Sequence, residues 1–170
     1  MRGYFSIGSE RISKPMNLGA LMRTANAFGA SYVFSIDADH RLRDAYQADT
    51  SKSAGQIPYY QWDSVDQMQM PRGCQLVGIE LTNDAVMLPT FRHPPQATYI
   101  LGPEKGNLSD EIIARCAHVV KIPTKFCINV SLAGAMVMYD RHLSMGGYAP
   151  RPIMPGGTGG DGKPKERGRD

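Results

Sequence analysis

The chain has 170 residues, a hydrophobic content of 42% and a net charge of +3. These values suit one folded domain, over residues 1–150, and they exclude a chain that is disordered throughout. No apolar run reaches the ~18 residues of a membrane span, and the N-terminus has no sustained apolar stretch of the kind found in secretory signals. We therefore expect a cytoplasmic protein, whose charge permits a nucleic-acid partner without requiring one.

Short β-like runs alternate with helical patterns along the chain. The predicted strands are residues 3–7, 32–36, 75–80, 98–101 and 118–122. Residues 41–54 are polar and ambiguous between a short helix and a loop. The alternation predicts an α/β fold with a mostly parallel sheet and helices on both faces.

The first two helices are predicted from apolar spacing and from end signals. Apolar residues recur at helical intervals from Leu18 to Phe28, and Gly29 is the expected C-cap. Ser109 is expected to cap a short helix that runs to Cys116 and has two acidic residues in its first turn.

The last predicted helix, residues 129–143, is apolar or small around its whole circumference from Val130 to Tyr139. Asn129 or Ser131 can cap it. A helix of this kind must be covered on every side. Either it lies wholly inside the subunit, or a second copy of the chain covers part of it.

The composition changes after Pro150. Residues 151–170 contain six glycines, three prolines and five basic residues, and they offer too little apolar surface to fold alone. We expect a flexible, Gly/Pro-rich basic tail, which either contacts phosphates or is inert.

The three cysteines point to neither a disulfide framework nor a metal site. Cys74, Cys116 and Cys127 are odd in number, and no pair has the C-x-x-C spacing. Cys116 and His118 are close in sequence but lack a second pair of ligands. We expect reduced cysteines and no bound metal.

Three blocks of sequence carry candidate chemistry. In the first, Asn17 to Gly29, the side chain of Arg23 points nearly opposite the apolar stripe of its helix. It is either a solvated arginine or one that holds a phosphate.

The other two blocks, residues 101–107 and 122–133, each follow a predicted strand. The glycines of residues 101–107 let a ligand approach the backbone closely, and residues 122–133 can form a loop whose backbone amides and carbonyls line a ligand pocket. Each block also has a simpler interpretation, as a Gly/Pro turn or as a helix cap.

In this order and spacing, the three blocks resemble the SpoU/TrmH family of RNA 2′-O-ribose methyltransferases, which belongs to the SPOUT α/β-knot superfamily. The resemblance covers about residues 3–145. The matching positions are Asn17, Gly19, Arg23, Thr24 and Ala25 in the first block; Gly102, Glu104 and Gly106 in the second; and Ile122, Pro123, Asn129, Val130, Ser131 and Ala133 in the third. Cys127 and Ile128 depart from the Ser-Leu that many relatives carry.

The resemblance implies a fold, a partner and a methyl donor. The fold is a SPOUT sheet whose C-terminal segment is tucked through a trefoil knot, and such threading is rare among proteins. The protein is expected to be a homodimer that pairs through the knot region and the first helix, which would cover the last helix. The donor is S-adenosyl-L-methionine, and no metal is required.

The resemblance also assigns residues to the site. The donor pocket is expected to involve Glu80, Leu81, Thr82, Leu101, Gly102, Glu104, Gly106, Ile122, Pro123, Ser131, Leu132 and Ala133. The catalytic set is Arg23, Asn17, Glu104, Asn129 and Ser131. Leu132→Arg is expected to abolish donor binding by filling the pocket.

The family's candidate proton acceptor is Arg23, although a guanidinium is normally fully protonated. Either a nearby sulfonium deprotonates it, or it stays charged and positions a phosphate while the phosphate or a water takes the proton. We prefer the second account. The dimer further suggests that Arg23 serves the donor pocket of the neighbouring chain.

The expected reaction is methylation of a ribose 2′-hydroxyl in RNA, with tRNA favoured over rRNA. Two alternatives stay open. One is a catalytically silent RNA-binding or assembly module on the same fold. The other is a SPOUT enzyme that methylates a base.

Overall fold

A computed structural model of the chain describes residues 3–39, 57–149, 151–152 and 155–156. Within these residues, seven strands form one sheet in which every pairing is parallel, in the order β3-β2-β1-β6-β4-β7-β5. The strands are β1 Tyr4–Glu10, β2 Val33–Ile36, β3 Tyr59–Trp62, β4 Gln75–Ile79, β5 Val86–Met87, β6 Gln96–Leu101 and β7 His118–Lys121. The parallel α/β sheet is therefore confirmed. No helix in the described ranges is long and apolar enough to cross a membrane.

All five predicted strands are present, with shifted ends, and two further strands were not predicted. β3 has four residues and β5 has two, so neither is long enough to show a clear alternation of apolar and polar residues. The ambiguous segment 41–54 lies outside the described residues. The predicted trefoil knot stays a prediction.

In the described ranges, three α-helices accompany these strands: α1 Pro15–Ala27, α2 Asp110–Arg115 and α3 Val130–Met145. Gly29 ends α1 as predicted. Its φ of +74° is easily reached by glycine, and its N–H donates to Asn26 O at 3.1 Å. The N–H of Ala30 reaches back to Ala25 O at 2.9 Å, which completes a Schellman cap.

The other two predicted caps are also present. The Ser109 hydroxyl accepts a hydrogen bond from Ile112 N at the start of α2. Asn129, rather than Ser131, caps α3, because Asn129 Oδ1 accepts from Ser131 N at 2.9 Å. Each cap satisfies a backbone donor that the helix itself leaves unpaired.

Apolar layers cover both faces of the sheet. Alternate residues of one strand point to opposite faces, so Tyr99 belongs to one buried cluster and Ile100 to the other. Helices α1 and α3 pack on the Tyr99 face, and α2 packs on the Ile100 face. The helices therefore lie on both faces, as predicted.

Helices α1 and α3 pack closely because of a glycine. A Cβ atom at Gly134 of α3 would lie only 2.6 Å from Cδ1 of Leu21 in α1. Any larger side chain would push the two helices apart.

The described subunit does not enclose α3 on every side. Val130, Val137 and Met138 are buried, whereas an apolar face made of Leu132, Met136 and Tyr139 is exposed. The fully internal alternative is therefore wrong, because one side of the helix packs on the sheet and on α1 while the other faces outward.

A buried polar cluster, the amino-edge network, lies where β1 and β6 begin. Its members are His93, Tyr99, Asp140 and Arg141. The guanidinium of Arg141, whose relative exposure is 0%, donates to Pro94 O at 2.7 Å, Pro95 O at 2.9 Å and the Tyr99 hydroxyl at 3.1 Å. His93 contacts the Tyr99 hydroxyl through Nδ1 at 2.6 Å and Asp140 through Nε2 at 3.0 Å.

Candidate active site

A chain of hydrogen bonds, the carboxyl-edge network, joins four predicted site residues at the opposite end of the sheet. Glu104 Oε1 accepts from Asn17 Nδ2 at 2.9 Å, and Asn17 Oδ1 accepts from Asn129 Nδ2 at 3.0 Å. Asn129 Oδ1 in turn accepts from the Ser131 hydroxyl at 2.6 Å. The three sequence blocks thus meet in one place, although Asn17 and Asn129 are 112 residues apart.

Glu104 also fixes the loop between β1 and α1. Its carboxylate accepts from Ser13 N, the Ser13 hydroxyl and Lys14 N, each at 3.0 Å. Partial burial opposes ionisation of Glu104, but the hydrogen bonds from Asn17 and from backbone N–H groups outweigh it and lower the pKa. Glu104 is therefore a carboxylate at neutral pH.

A cavity of about 260 Å³ lies beside the carboxyl-edge network, where β4, β6 and β7 end. Ligands of open parallel sheets bind at this edge. Eight residues predicted for the donor pocket line it: Glu80, Leu81, Leu101, Gly102, Glu104, Gly106, Ile122 and Ala133.

Four predicted lining residues, Thr82, Pro123, Ser131 and Leu132, are not in the wall of this cavity. Leu132 has a relative exposure of 58%, because it lies about 100° around α3 from Ala133, which faces the cavity. The expectation that Leu132→Arg fills the pocket therefore needs correction. The Ser131 hydroxyl acts instead through Asn129.

Six lining residues were not predicted: Ile79, Pro103, Thr124, Cys127, Ile128 and Val130. The sequence predicts that the loop containing Thr124 to Ile128 lines a ligand pocket. It does not indicate which individual side chains of that loop do so. Which of its side chains turn inward depends on how the loop packs against other elements, and the spacing carries no signal for that.

Arg23 is exposed and lies outside the wall of the cavity. It follows the buried Leu21 and Met22 on α1 and points away from the packed face of the helix. The structure therefore brings together four of the five predicted catalytic residues and leaves Arg23 on the surface.

The cavity fits a ligand with apolar and cationic parts. Its walls include aliphatic side chains from β4, β6 and α3, and the carboxylates of Glu80 and Glu104. Glu80 is held by Leu108 N and Leu81 N, both at 2.8 Å. A Cβ at Gly102 would lie 3.3 Å from Leu108 N, so glycine keeps this wall close-packed. In the described part of the chain, no cluster of His, Cys, Asp or Glu could hold a metal ion.

The fold and the site define a class of protein. A model of the SpoU rRNA Methylase family matches residues 4–139, and the chain belongs to that family.

Particular relatives can also be named. The tRNA (guanosine(18)-2′-O)-methyltransferase of Escherichia coli K12 is 28% identical over 137 residues, which cover 77% of this chain and 59% of the relative. The chain thus spans little more than half of that protein's length. An enzyme of the same description from Mus musculus is 29% identical over 138 residues, 76% of this chain and 9% of the relative.

Solved structures share the fold. The AdoMet-bound rRNA methyltransferase from Sinorhizobium meliloti has a TM-score of 0.72 and 20% identity, over 85% of this chain and 58% of that one. A structure described as giving insights into the 2-OH methylation of C/U34 on tRNA has a TM-score of 0.67 and 20% identity. It matches 86% of this chain and 99% of that one.

Proposed function

We propose that this protein transfers a methyl group from S-adenosylmethionine to a ribose 2′-hydroxyl of RNA. The observation that carries the proposal is the carboxyl-edge network, which gathers Asn17, Glu104 and Asn129 from the three sequence blocks at the mouth of the cavity. The names of the curated relatives, both tRNA 2′-O-methyltransferases, support the same reaction.

The residues of the cavity suit this chemistry. S-adenosylmethionine, when bound, supplies an electrophilic methyl group on a positively charged sulfur. The aliphatic walls exclude water, and the carboxylates of Glu80 and Glu104 favour a cation nearby. Asn17 and Asn129 fix each other and Glu104, so the mouth of the cavity is held in one arrangement before RNA arrives.

The 2′-oxygen forms a bond to the methyl carbon as the carbon–sulfur bond breaks, and the hydroxyl proton must leave. Arg23, as a charged guanidinium, accepts no proton. We assign it the role of holding an RNA phosphate, while that phosphate or a water takes the proton. Arg23→Ala should therefore keep donor binding and lose turnover.

The homodimer belongs to the same proposal. The exposed face of Leu132, Met136 and Tyr139 on α3 offers apolar surface to a second copy. Arg23 is exposed on α1, which packs against α3. Pairing across this face brings Arg23 of one chain towards the donor cavity of its partner.

Two measurements test the activity. Calorimetry should show binding of S-adenosylmethionine to the protein without RNA, and no binding at millimolar donor would contradict the assignment. Mass spectrometry of nucleosides from wild-type and deletion strains should then show a missing 2′-O-methylribose. A missing methylated base would indicate a base-methylating enzyme, and unchanged nucleosides would favour a silent RNA-binding module.

The composite site is tested by complementation. Cys127 lines the cavity but is exposed, so Cys127→Trp should block the donor without disturbing the core. Refolding this variant with Arg23→Ala gives about half mixed dimers, and roughly a quarter of wild-type sites are restored if Arg23 acts across the interface. Activity near zero in the mixture would contradict the cross-subunit role and leave the enzyme assignment intact.

We infer that tRNA is the substrate, on the strength of the curated relatives, and that the protein acts in the cytoplasm. The chain matches an rRNA methyltransferase in structure as well, at an identity that supports the fold alone. Fractionating the RNA before nucleoside analysis decides between tRNA and rRNA.

Deleting the tail, 151–170, should leave folding unchanged, and a flatter salt dependence of RNA binding would indicate that the tail contacts phosphates.

A further inference from the structure

A second groove, the cationic groove, lies next to the cavity. It is lined by Arg11, Ser13, Lys14, Pro103, Glu104 and Lys105. Pro103 and Glu104 line the cavity too, so the two spaces share a wall. A group bound in the groove is therefore held directly beside whatever occupies the cavity.

Three cationic side chains meet in this groove. Lys14 and Lys105 are exposed, and neither forms an ion pair with any residue in the described ranges. Arg11 lies 3.7 Å from Glu10 Oε2, and that carboxylate also accepts from Ser109 N at 2.8 Å. The two lysines keep their donors available for an anionic ligand.

Glu104 supplies a carboxylate to the lining of the cationic groove. It accepts four hydrogen bonds at the wall that the groove shares with the cavity. The donors are Asn17 and groups of Ser13 and Lys14. These bonds fix the carboxylate against the β1–α1 loop, so it holds the wall of the groove in place.

The backbone of Arg11 has a strained conformation. Its φ of +52° is unusual for a residue other than glycine, and such strained conformations cluster at functional sites. Two bonds hold it there: Arg11 N donates to Ile36 O at 2.7 Å, and Nη2 donates to Asn107 O at 2.6 Å. The guanidinium is thus fixed over the groove before any ligand arrives.

We propose that the cationic groove binds one phosphodiester of the substrate RNA, through Arg11, Lys14 and Lys105, and so positions the target ribose at the mouth of the cavity. The inference rests on the proposed methyltransferase function. A phosphodiester fits because its two non-bridging oxygens accept several charged donors at once. It is also covalently next to a ribose, so the shared wall puts that ribose beside the methyl donor.

The test uses the double variant Lys14→Ala/Lys105→Ala of the full chain. The probe is end-labelled bulk tRNA from a strain that lacks the protein, in filter binding from low to high salt. Loss of this one phosphate contact should reduce the slope of log affinity against log salt by about 0.7 to 0.9 and weaken binding about 5- to 10-fold at 0.1 M salt. The charge-preserving variant Lys14→Arg/Lys105→Arg should have the wild-type slope and the wild-type affinity.

Arg72→Ala is the matched control. Arg72 is exposed and precedes β4, so it lies at the other edge of the sheet. It should leave methylation unchanged and reduce RNA binding less than the double variant does. If the double variant matches Arg72→Ala in slope and affinity, the groove makes no specific contact and the proposal is overturned.

Donor binding separates the remaining outcomes. The double variant should raise KM for RNA and leave the affinity for S-adenosylmethionine, measured by calorimetry, unchanged. Weaker donor binding with unchanged RNA binding would mean that the groove holds the donor's carboxylate, and that result overturns the phosphodiester site. If wild-type protein binds tRNA with the expected slope but transfers no methyl group, the proposed function fails while the groove survives.

Discussion

Two hydrogen-bonded networks tie α3 to the rest of the molecule, one at each edge of the sheet. At the carboxyl edge, Asn129 reaches Asn17 and, through it, Glu104. At the amino edge, Arg141 and Asp140 reach the strand residue Tyr99 and the preceding loop. Both networks include polar groups of α3 or of its N-cap, yet their surroundings differ.

The difference is access to solvent and to a cavity. Glu104 is part of the wall of an open cavity, and its pKa is lowered by its hydrogen bonds despite partial burial. Tyr99 and Arg141 are fully buried, and burial raises the pKa of Tyr99 to about 12. The network at the carboxyl edge is therefore accessible to a ligand, whereas the network at the amino edge is buried and holds α3 in place.

The largest expected effect is on stability, from Arg141→Ala at the amino edge. The change removes the Arg141 bonds to the Pro94 carbonyl and the Tyr99 hydroxyl in a buried site, whereas the Pro95 carbonyl keeps its bond from Tyr4 N. We expect a loss of about 3–5 kcal/mol in the free energy of unfolding, measured in urea. Donor affinity of the folded fraction should not change. Arg115→Ala, which removes exposed ion pairs, should cost less than about 1 kcal/mol.

Next in size is Asn17→Asp, which breaks the carboxyl-edge network. The new carboxylate faces Glu104 Oε1 where Nδ2 donated at 2.9 Å, so two like charges meet. We expect a loss of about 1.5–3 kcal/mol at neutral pH together with lost methyl transfer.

The repulsion in Asn17→Asp raises the pKa of the carboxyl pair above the unfolded values, so stability returns as the pH falls. The deficit should shrink as the pH falls from about 6 to about 4. Asn26→Asp, at an exposed position of the same helix, is the control. An equal deficit in both variants, or one independent of pH, would show that charge repulsion at Glu104 is not the cause.

A smaller effect is the pH dependence that His93 adds at the amino edge. Burial lowers the pKa of His93 below 6.5, and Asp140 only partly opposes this. Below about pH 6.5 the unfolded chain takes up a proton that the folded protein does not, so stability should fall as the pH drops towards the folded pKa.

For one proton the slope is at most about 1.4 kcal/mol per pH unit. His93→Gln should remove this part of the pH profile, measured by urea denaturation at a series of pH values. His118→Gln, at an exposed position, should retain it. A profile that His93→Gln leaves unaltered would assign the titration to another group.

The smallest expected effect is that of Ser131→Ala. It removes the hydroxyl's bond to Asn129 Oδ1 but keeps the cap, in which Ser131 N donates to the same oxygen. We expect about 0.5–1.5 kcal/mol in stability. A much larger loss of methyl transfer, with donor affinity intact, would show that Ser131 does more than steady Asn129.

Local rules predicted most of the fold. The caps at Gly29, Ser109 and Asn129 depend on residues within a few positions of each other, and all three are present. β3 and β5 were missed because a strand of two to four residues owes its pairing to its neighbours in the sheet. The resemblance, rather than periodicity, brought Asn17, Glu104, Asn129 and Ser131 together as site residues.

The amino-edge network had no signal in the sequence. Asp140 and Arg141 near the end of a helix are typical of a solvated turn, and only the packing of α3 on β6 shows that Arg141 is buried. The inward side chains of the cavity loop were missed for the same reason. Burial of a polar group depends on contacts between distant segments, which composition and spacing do not encode.

The bond between Asn17 and Asn129 also has a consequence for the order of events during synthesis. These residues are separated by 112 positions, and the cavity takes part of its wall from Val130 and Ala133 of α3. Contacts that close such long loops form late, since the chain entropy is lost before the contact is gained. A nascent chain still lacking α3 therefore has most of its sheet but no complete site, and binding of the proposed methyl donor would report that the last helix has docked.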